Sequence, residues 1–183
     1  MPKKLAIFAS GSGSNAENIC NYFENHSDVK VVLICTNKLD AFIVKRAEKL
    51  NIPVAFVTKT ELNNFDGLRK TLQNTKVDFI ILAGFLLKLP AIMVKKYPNR
   101  ILNIHPSLLP KYKGLNTHKR VLRNKEKYSG CTVHYVNDNL DSGKIILKKR
   151  VYTNTNDTEE TLRLKILNEE HSLYPKSIIS MFK

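Results

Sequence analysis

The feature that most constrains the fold is an apolar run that leads directly into a glycine loop near the start of the chain. Leu5 to Ala9 contains no polar residue, which is typical of a strand buried on both faces of a parallel sheet. The loop GSGSNA occupies positions 11–16, and Ile19 and Phe23 follow it with the four-residue spacing of one helix face. A strand, a glycine turn and a helix in this order predict the first unit of an α/β sheet.

The alternation of apolar runs and amphipathic segments continues to about residue 104. It predicts four more strands, at 29–35, 53–57, 77–83 and 100–104. It also predicts helices at 41–50, 61–73 and 90–96, with Gly67 as the weak point of the helix at 61–73. The less regular remainder predicts a loop over 105–118, a short helix ending near 121–124, strands at 132–136 and 144–151, and a long helix over 158–183 that is broken near Pro175.

Together these elements predict a single α/β domain over residues 1–183, with a Rossmann-like, mostly parallel sheet of about seven strands and helices on both faces. Apolar residues make up 43% of the chain and charged residues 25%, which is typical of a globular domain. No apolar run approaches the roughly 18 residues that would cross a bilayer. The N-terminus also lacks the apolar run of a signal peptide, so we expect a cytoplasmic protein.

The chain is strongly basic, with 30 Lys and Arg residues against 16 Asp and Glu and a formal charge of +14. A basic surface can bind nucleic acid, but here the basic residues are scattered and no nucleic-acid-binding motif accompanies them. We therefore expect no nucleic-acid partner, and a surface that attracts small anionic substrates. Cys20, Cys35 and Cys131 lie far apart, which favours buried free thiols over disulfides or a zinc site.

The glycine loop has the G-x-G-x-x-A spacing of a dinucleotide-binding turn. Its backbone N–H groups can approach an anion at the N-terminus of the next helix, where the helix dipole is positive. A nicotinamide dinucleotide also requires an acidic residue after the second strand, and this place holds Thr36-Asn37-Lys38. The loop therefore favours a small phosphorylated ligand, while a plain turn with Ser14 or Asn15 as the helix cap stays open.

Two polar residues, Asn103 and His105, lie at the end of the fifth predicted strand. Their i, i+2 spacing directs both side chains to one face, and ligands bind at strand ends in open α/β sheets. A single histidine at such a place is also compatible with a structural role. A second polar segment, NDNLDSG at 137–143, is rich in turn-forming residues, so Asp138 and Asp141 are also compatible with turn aspartates.

The segment NIHPSLLP at 103–110, together with the segment from Gly130 to Gly143 at this spacing, resembles the formyltransferase family. Three more segments resemble this family: the glycine loop at 11–15, LAGF at 82–85 and EHSLYP at 170–175. The resemblance implies the formyltransferase fold, with a Rossmann-like phosphate-binding half over 1–100 and a catalytic, folate-binding half over 101–183. It also implies transfer of a formyl group from the co-substrate 10-formyltetrahydrofolate to the amine of glycinamide ribonucleotide in purine synthesis, without a metal.

By this resemblance Asn103, His105 and Asp141 are catalytic. The acceptor amine attacks the formyl carbon, and Asn103 and a protonated His105 would stabilise the tetrahedral oxyanion. An ordinary histidine is only partly protonated at pH 7, and a nearby carboxylate raises its pKa. We therefore expect Asp141 to hold His105 as an imidazolium and to orient it. His105 or a water molecule would carry the proton from the amine to the departing folate nitrogen.

The resemblance also implies two sets of binding residues. Those expected to bind the ribonucleotide are Gly13, Ser14, Asn15, Pro106 and Glu170. Those expected to bind folate are Phe85, Leu86, Leu87, Lys88, Leu89, Asn103, Asn137, Asp138, Asn139, Leu140 and Asp141, although Leu86 and Leu89 are equally compatible with ordinary core positions. The family commonly has a folate-binding arginine near residues 60–65, and this chain has none there, so Lys88 or Arg69 is a candidate replacement.

Other functions stay open at this point. The formyl acceptor could instead be methionyl-tRNA, an amino sugar or water, and a non-catalytic nucleotide-binding module is a further alternative. Relatives that act on tRNA or amino sugars generally carry an additional C-terminal domain, and the hydrolases carry an N-terminal one. Because the sequence runs from Met1 to Lys183, we expect a small ribonucleotide as acceptor, bound by a monomer or homodimer without membrane contact.

Overall fold

The computed structural model describes residues 1–182, so Lys183, the last residue of the predicted C-terminal helix, lies outside the described residues. The strands are β1 Lys3–Phe8, β2 Val29–Thr36, β3 Val54–Phe56, β4 Phe79–Leu82, β5 Ile101–His105, β6 Tyr128–Tyr135 and β7 Ile145–Tyr152. The helices are α1 Ser14–Phe23, α2 Ile43–Lys49, α3 Lys59–Asn64, α4 Asp66–Asn74, α5 Ala91–Lys96, α6 Thr117–Arg123 and α7 Glu159–Ser180. The sheet order β3-β2-β1-β4-β5-β6-β7 confirms the predicted α/β fold with seven strands.

The chain divides into two compact units, Met1–Leu102 and Asn103–Lys183. In the first unit, β1 lies between β2 and β4 and is parallel to both, and β2 is also parallel to β3. All five residues of the run from Leu5 to Ala9 are fully buried. This burial explains why the run shows no alternation of polar and apolar residues.

In the second unit, β6 and β7 form an antiparallel pair from Tyr128↔Tyr152 to His134↔Ile145. Helix α7 packs against both strands, and α6 packs against α7. Strand β6 is buried along most of its length, whereas β7 is mainly exposed. Buried polar residues of the second unit include His105 at the end of β5 and Thr132 and His134 on β6.

The helix predicted over residues 61–73 is wrong, because two helices, α3 and α4, occupy this region. They meet at Phe65 and not at Gly67. Phe65 has a left-handed backbone, with φ of 63°, and its side chain is only 2% exposed. Such a conformation costs roughly 1–3 kcal/mol for a residue other than glycine, and burial of the aromatic ring offsets this cost.

The break predicted near Pro175 is also wrong, because α7 continues without interruption to Ser180. A proline inside a helix costs about 3 kcal/mol. Here Pro175 is buried, together with Leu173, Tyr174 and Ile178 on the same helix. Packing of this apolar face holds the helix together through the proline, which a local sequence pattern does not reveal.

The three cysteines are buried free thiols, as predicted. Burial raises the pKa of Cys20 and of Cys131 to about 12, so both are protonated and unreactive at neutral pH. Among residues 1–182, no helix is long and apolar enough to cross a membrane. Within the same range, no group of three His, Cys, Asp or Glu side chains is arranged to hold a metal ion.

Candidate active site

The structure brings together the three residues that the sequence marked as catalytic. Asn103 and His105 lie on β5, and Asp141 lies in the turn that follows β6. The His105 Nδ1 is 3.3 Å from Asp141 Oδ2, and the Asn103 Nδ2 is 3.4 Å from Asp141 Oδ1. His105 is 5% exposed and Asp141 8%, while Asn103 is half-buried. A carboxylate thus lies between an amide and an imidazole in a largely desolvated cluster.

Asp141 is held in this cluster by its backbone and by a neighbouring loop. Its backbone is left-handed, with φ of 46°. The backbone N–H of Gly114 donates a 2.8 Å hydrogen bond to Oδ2. Burial raises the pKa of Asp141, but the hydrogen bond from this N–H group and the nearby His105 lower it, and the net pKa lies below its usual value. Asp141 is therefore a carboxylate anion at neutral pH.

The protonation state of His105 differs from the prediction. Burial lowers its pKa, the Tyr112 carbonyl and Asp141 raise it, and the net pKa lies below 6.5. The Nε2 atom is 2.8 Å from the Tyr112 carbonyl oxygen, which can only accept, so Nε2 carries the proton. The predicted imidazolium is therefore wrong for the free protein at pH 7. The 3.3 Å separation from Asp141 is longer than the roughly 2.7–2.9 Å of a charge-assisted bond, and Asp141 raises the pKa of His105 less than burial lowers it.

A second histidine, His134, belongs to the same cluster, and sequence reasoning missed it. It lies near the end of β6 and is 2% exposed. Its Nε2 is 3.2 Å from Asn103 Nδ2 and 3.6 Å from Asp141 Oδ1, and its Nδ1 is 2.8 Å from the Tyr135 carbonyl oxygen. A signal was present, because His134 is a polar residue close to the end of a buried strand, as Asn103 and His105 are.

The loop between β5 and α6 is fixed by hydroxyl groups that sequence reasoning also missed. The Thr132 hydroxyl donates to the Ser107 carbonyl at 2.7 Å and accepts from the Leu109 N–H at 3.1 Å. The Ser107 hydroxyl donates to the Lys111 carbonyl at 2.7 Å. The Leu109–Pro110 peptide bond within this loop is cis. The three hydrogen bonds set the path of the loop that presents the Tyr112 carbonyl and the Gly114 N–H.

The glycine loop lies in the first unit, at the start of α1. Gly13 is the N-cap residue, with φ of 72°, so a cap formed by the Ser14 or Asn15 side chain is not what the structure contains. A Cβ atom at position 13 would lie 2.7 Å from the Ile43 Cβ, so both the conformation and the packing require glycine. Arg46 supports the loop from α2, because its Nε donates to the Ser12 carbonyl at 2.9 Å.

The predicted folate-binding residues differ widely in exposure. Leu86 is 61% exposed and so is not a core residue, whereas Leu89 is 6% exposed and packs in the interior. Phe85 contacts Phe8 edge to face, with ring centroids 5.3 Å apart. The segment 137–140 is exposed. Of the remaining predicted residues, Glu170 is buried on α7 and Pro106 is half-buried after β5.

The first unit also contains a cleft of about 440 Å³ between α4 and α5. Its lining residues are Phe65, Asp66, Arg69, Ile92, Lys95 and Lys96. The Arg69 Nε is buried and has no hydrogen-bond partner among residues 1–182. Asp66 pairs with Arg69 at 3.5 Å, so the two lysines leave the cleft with a net positive charge beside two apolar side chains, which suits an anionic ligand with an apolar part.

Comparison with known proteins now identifies the family. The profile described as "Formyl transferase" matches residues 3–178. The chain belongs to the formyl transferase family.

Named relatives and solved structures agree with this assignment. The chain is 36% identical over 178 residues to phosphoribosylglycinamide formyltransferase of Haemophilus influenzae, covering 94% of this chain and 84% of that protein. It is 41% identical over 185 residues to the chloroplastic enzyme of that name from Arabidopsis thaliana, covering 94% of this chain but only 63% of the plant protein. A crystal structure of phosphoribosylglycinamide formyltransferase from Bacillus halodurans superposes with a TM-score of 0.92 at 35% identity, covering 99% of this chain and 96% of that one.

Proposed function

We propose that this protein transfers the formyl group of 10-formyltetrahydrofolate to the amine of glycinamide ribonucleotide. The proposal rests on one cluster of side chains. In it, the Asp141 carboxylate lies 3.3 Å from His105 Nδ1 and 3.4 Å from Asn103 Nδ2. The names of the relatives and of the solved structures support the same reaction and acceptor.

The reaction begins with attack of the neutral acceptor amine on the formyl carbon. A carbon–nitrogen bond forms, the carbonyl bond opens, and negative charge collects on the oxygen. An Asn103 N–H donates a hydrogen bond to this oxygen. One such donor is commonly worth about 3–4 kcal/mol in the transition state. The half-exposed Asn103 side chain suits this role, because part of the residue is accessible to a substrate.

The amine must then lose a proton, and the folate nitrogen must gain one before its bond to carbon breaks. Because Nε2–H already donates to the Tyr112 carbonyl, the amine proton is taken up at His105 Nδ1, directly or through a water molecule, and passes from there to the folate nitrogen, so His105 ends the cycle as it began. Asp141 stabilises the imidazolium that exists between these two transfers. The 3.3 Å contact between His105 Nδ1 and Asp141 Oδ2 would then shorten into a charge-assisted hydrogen bond.

The two substrates are bound, in this proposal, by the residue sets that the family resemblance implies. The backbone of Gly13, Ser14 and Asn15 binds the ribonucleotide phosphate, because N–H groups at a helix N-terminus attract an anion. Pro106 and Glu170 contact the rest of the ribonucleotide. Folate is bound by residues 85–89, by Asn103 and by the turn at 137–141. Within the first of these segments, the exposed Leu86 offers an apolar surface to a flat ring.

The carboxylates of the folate glutamate tail need a cationic partner, and residues 60–65 contain no arginine. We propose that the cleft lined by Arg69, Lys95 and Lys96 binds them. The Arg69 Nε supports this assignment, because a buried donor without a partner gains a hydrogen bond when a carboxylate enters.

The proposal is tested by an assay with 10-formyltetrahydrofolate and four acceptors in parallel: glycinamide ribonucleotide, methionyl-tRNA, an amino sugar nucleotide and buffer alone. We expect formylated ribonucleotide and tetrahydrofolate in equal amounts, and only background reaction in the other three. Turnover with another acceptor but not with the ribonucleotide would mean that the protein transfers the formyl group by the same chemistry to that other acceptor. No turnover with any acceptor would overturn the proposal.

A further inference from the structure

We infer that His134 is a positioning residue, whose Nε2 fixes the Asn103 amide so that one of its N–H bonds stays available for the reacting formyl oxygen. The inference rests on the proposed function and deepens it. It begins with the His134 ring, which is 2% exposed and so exchanges hydrogen bonds with protein groups instead of bulk water.

The Tyr135 carbonyl determines the tautomer of His134. Its oxygen is 2.8 Å from His134 Nδ1 and can only accept, so Nδ1 carries a proton. In the neutral ring Nε2 is then a lone-pair acceptor. Its neighbour at 3.2 Å is the Asn103 Nδ2, which can only donate. The hydrogen bond therefore runs from Asn103 to His134.

This bond also determines which end of the Asn103 amide faces inward. Asp141 Oδ1, an anionic acceptor, lies 3.4 Å from the same nitrogen. If the amide were flipped, its oxygen would face the His134 lone pair and the Asp141 carboxylate, and all three groups would repel one another. Two acceptors on one side thus hold the NH₂ group in place.

The geometry of the two acceptors leaves one N–H bond free of both. The three separations among Asn103 Nδ2, His134 Nε2 and Asp141 Oδ1 are 3.2, 3.4 and 3.6 Å, which makes a nearly equilateral triangle. The acceptors are therefore seen from the nitrogen at roughly 60°, about half the angle between the two N–H bonds of a planar amide. With one N–H directed between the two acceptors, the other points away from both and stays available, and this is the inferred orientation of the amide.

The test uses two substitutions that each retain one half of the imidazole. His134→Gln places an amide near the position of Nε2 and so retains an acceptor for Asn103. His134→Asn places an amide near Nδ1 and so retains the contact with Tyr135 but loses the acceptor. We expect kcat to fall at least 30-fold in H134N and to stay within about fivefold of the parent in H134Q, with KM values changed less than threefold. Loss of the whole oxyanion donor, about 100- to 1000-fold, is the upper limit.

Three further measurements separate positioning from a merely structural role. Thermal melts of both variants show whether each folds. In an Asn103→Ala background, His134→Asn should cause no further loss of kcat, because the group that it positions is gone. His26→Asn is the matched control, because this histidine packs against Phe23 away from the cluster, and it should leave kcat unchanged.

A measurement without substrates keeps the inference distinct from the proposed function. Nitrogen-15 NMR of the free protein should show His134 as the Nδ1–H tautomer and a shifted Asn103 side-chain amide that changes in H134N but not in H134Q. An Nε2–H tautomer, or equal kcat in H134N and the parent, would overturn the inference. If the parent protein has no transferase activity, the proposed function fails, and the NMR result still decides the geometry.

Discussion

The two units of the chain provide chemistry in different ways. In the first unit the proposed ligand loop depends on the backbone, because Gly13 adopts a left-handed conformation that brings N–H groups to the start of α1. In the second unit the catalytic cluster consists of side chains held by one another. Interior polarity differs accordingly. The buried polar residues are Ser10, Asn15 and Thr36 in the first unit and His105, Ser107, Thr117, Ser129, Thr132, His134, Asp141, Glu170 and Ser177 in the second.

This difference implies different vulnerabilities. The first unit has a mainly apolar interior, and it should be sensitive to backbone strain and to side-chain volume at its glycine loop. Few of its buried groups titrate. An interior with histidines and carboxylates depends on hydrogen bonds, and leaving one buried group without a partner costs about 1–3 kcal/mol. The second unit should therefore respond to pH and to changes of a single atom, whereas the first should respond to steric changes.

The largest effect is expected from Asp141→Asn, which removes the charge and retains the shape. Formyl transfer should fall about 1000-fold, within the range for acid–base groups, because the imidazolium of His105 loses its counter-ion. The protein should stay folded, since asparagine tolerates a left-handed backbone. The measurement is kcat together with the free energy of unfolding. Asp40→Asn is the control, because Asp40 is exposed and belongs to neither proposed binding set, and a D141N rate within tenfold of the parent would make Asp141 only a turn residue.

A strong steric effect is expected from Gly13→Ala in the first unit. The left-handed φ and the overlap with Ile43 should lower the free energy of unfolding by about 3 kcal/mol and raise KM for the ribonucleotide at least tenfold. The matched control is Gly11→Ala, because a Cβ at position 11 meets nothing within 4 Å. Equal stability and equal KM in the two variants would contradict the difference drawn between the units.

A moderate effect is expected from pH. Burial lowers the pKa of His105, so the neutral form required of a proton acceptor predominates above pH 6.5. The value of kcat/KM should stay level above this pH and fall up to tenfold per pH unit once the pH drops below the lowered pKa. A loss of rate on the alkaline side instead would restore the imidazolium that the sequence suggested.

The same titration affects stability, and its sign follows from linkage. An unfolded histidine binds its proton near pH 6.5, whereas folded His105 binds it only at lower pH. The free energy of unfolding is therefore highest above pH 6.5, where His105 is neutral in both states. It decreases as the pH falls from 6.5 through the pKa of folded His105, because the unfolded chain then binds the proton more tightly. His118, whose pKa burial also lowers, adds to this loss. Urea unfolding at pH 7.5 and 5.5 should show the decrease, and His105→Asn should reduce it.

The smallest effect is expected in the cleft between α4 and α5. Lys95→Gln with Lys96→Gln should raise KM for a polyglutamylated folate about two- to tenfold, since exposed ion pairs contribute about 0.2–1 kcal/mol each. The effect should shrink with a monoglutamate and at high salt. Lys70→Gln on α4 is the control, because Lys70 does not line the cleft. The same KM in both variants would assign the tail to another part of the protein.

Sequence reasoning succeeded where the determining information is local. The burial of Leu5 to Ala9 follows from their apolar run, and the left-handed Gly13 from a glycine in a turn. It failed at Phe65 and Pro175, where tertiary packing overrides local preference. A family motif marked Asn103, His105 and Asp141, and spacing alone offered only a polar strand end and a turn.

The charge of His105 could not be predicted from sequence. A carboxylate nearby argues for a raised pKa, but the degree of desolvation is a property of the folded chain, and here it lowers the pKa. His134 differs, because its place near the end of a buried strand was visible. It was missed because the resemblance, although it covered residues 130–143, implied catalytic roles only for Asn103, His105 and Asp141.

The left-handed backbone of Asp141 has a consequence for how this protein would evolve. Glycine adopts φ of 46° without strain and asparagine tolerates it, whereas most other residues are strained in this conformation. Selection for activity must therefore retain, at this position, a residue that is strained in the left-handed conformation. In a lineage that obtains its product from the surroundings, position 141 should be among the first to drift to asparagine, which tolerates the left-handed backbone and keeps an acceptor for the Gly114 N–H but lacks the charge.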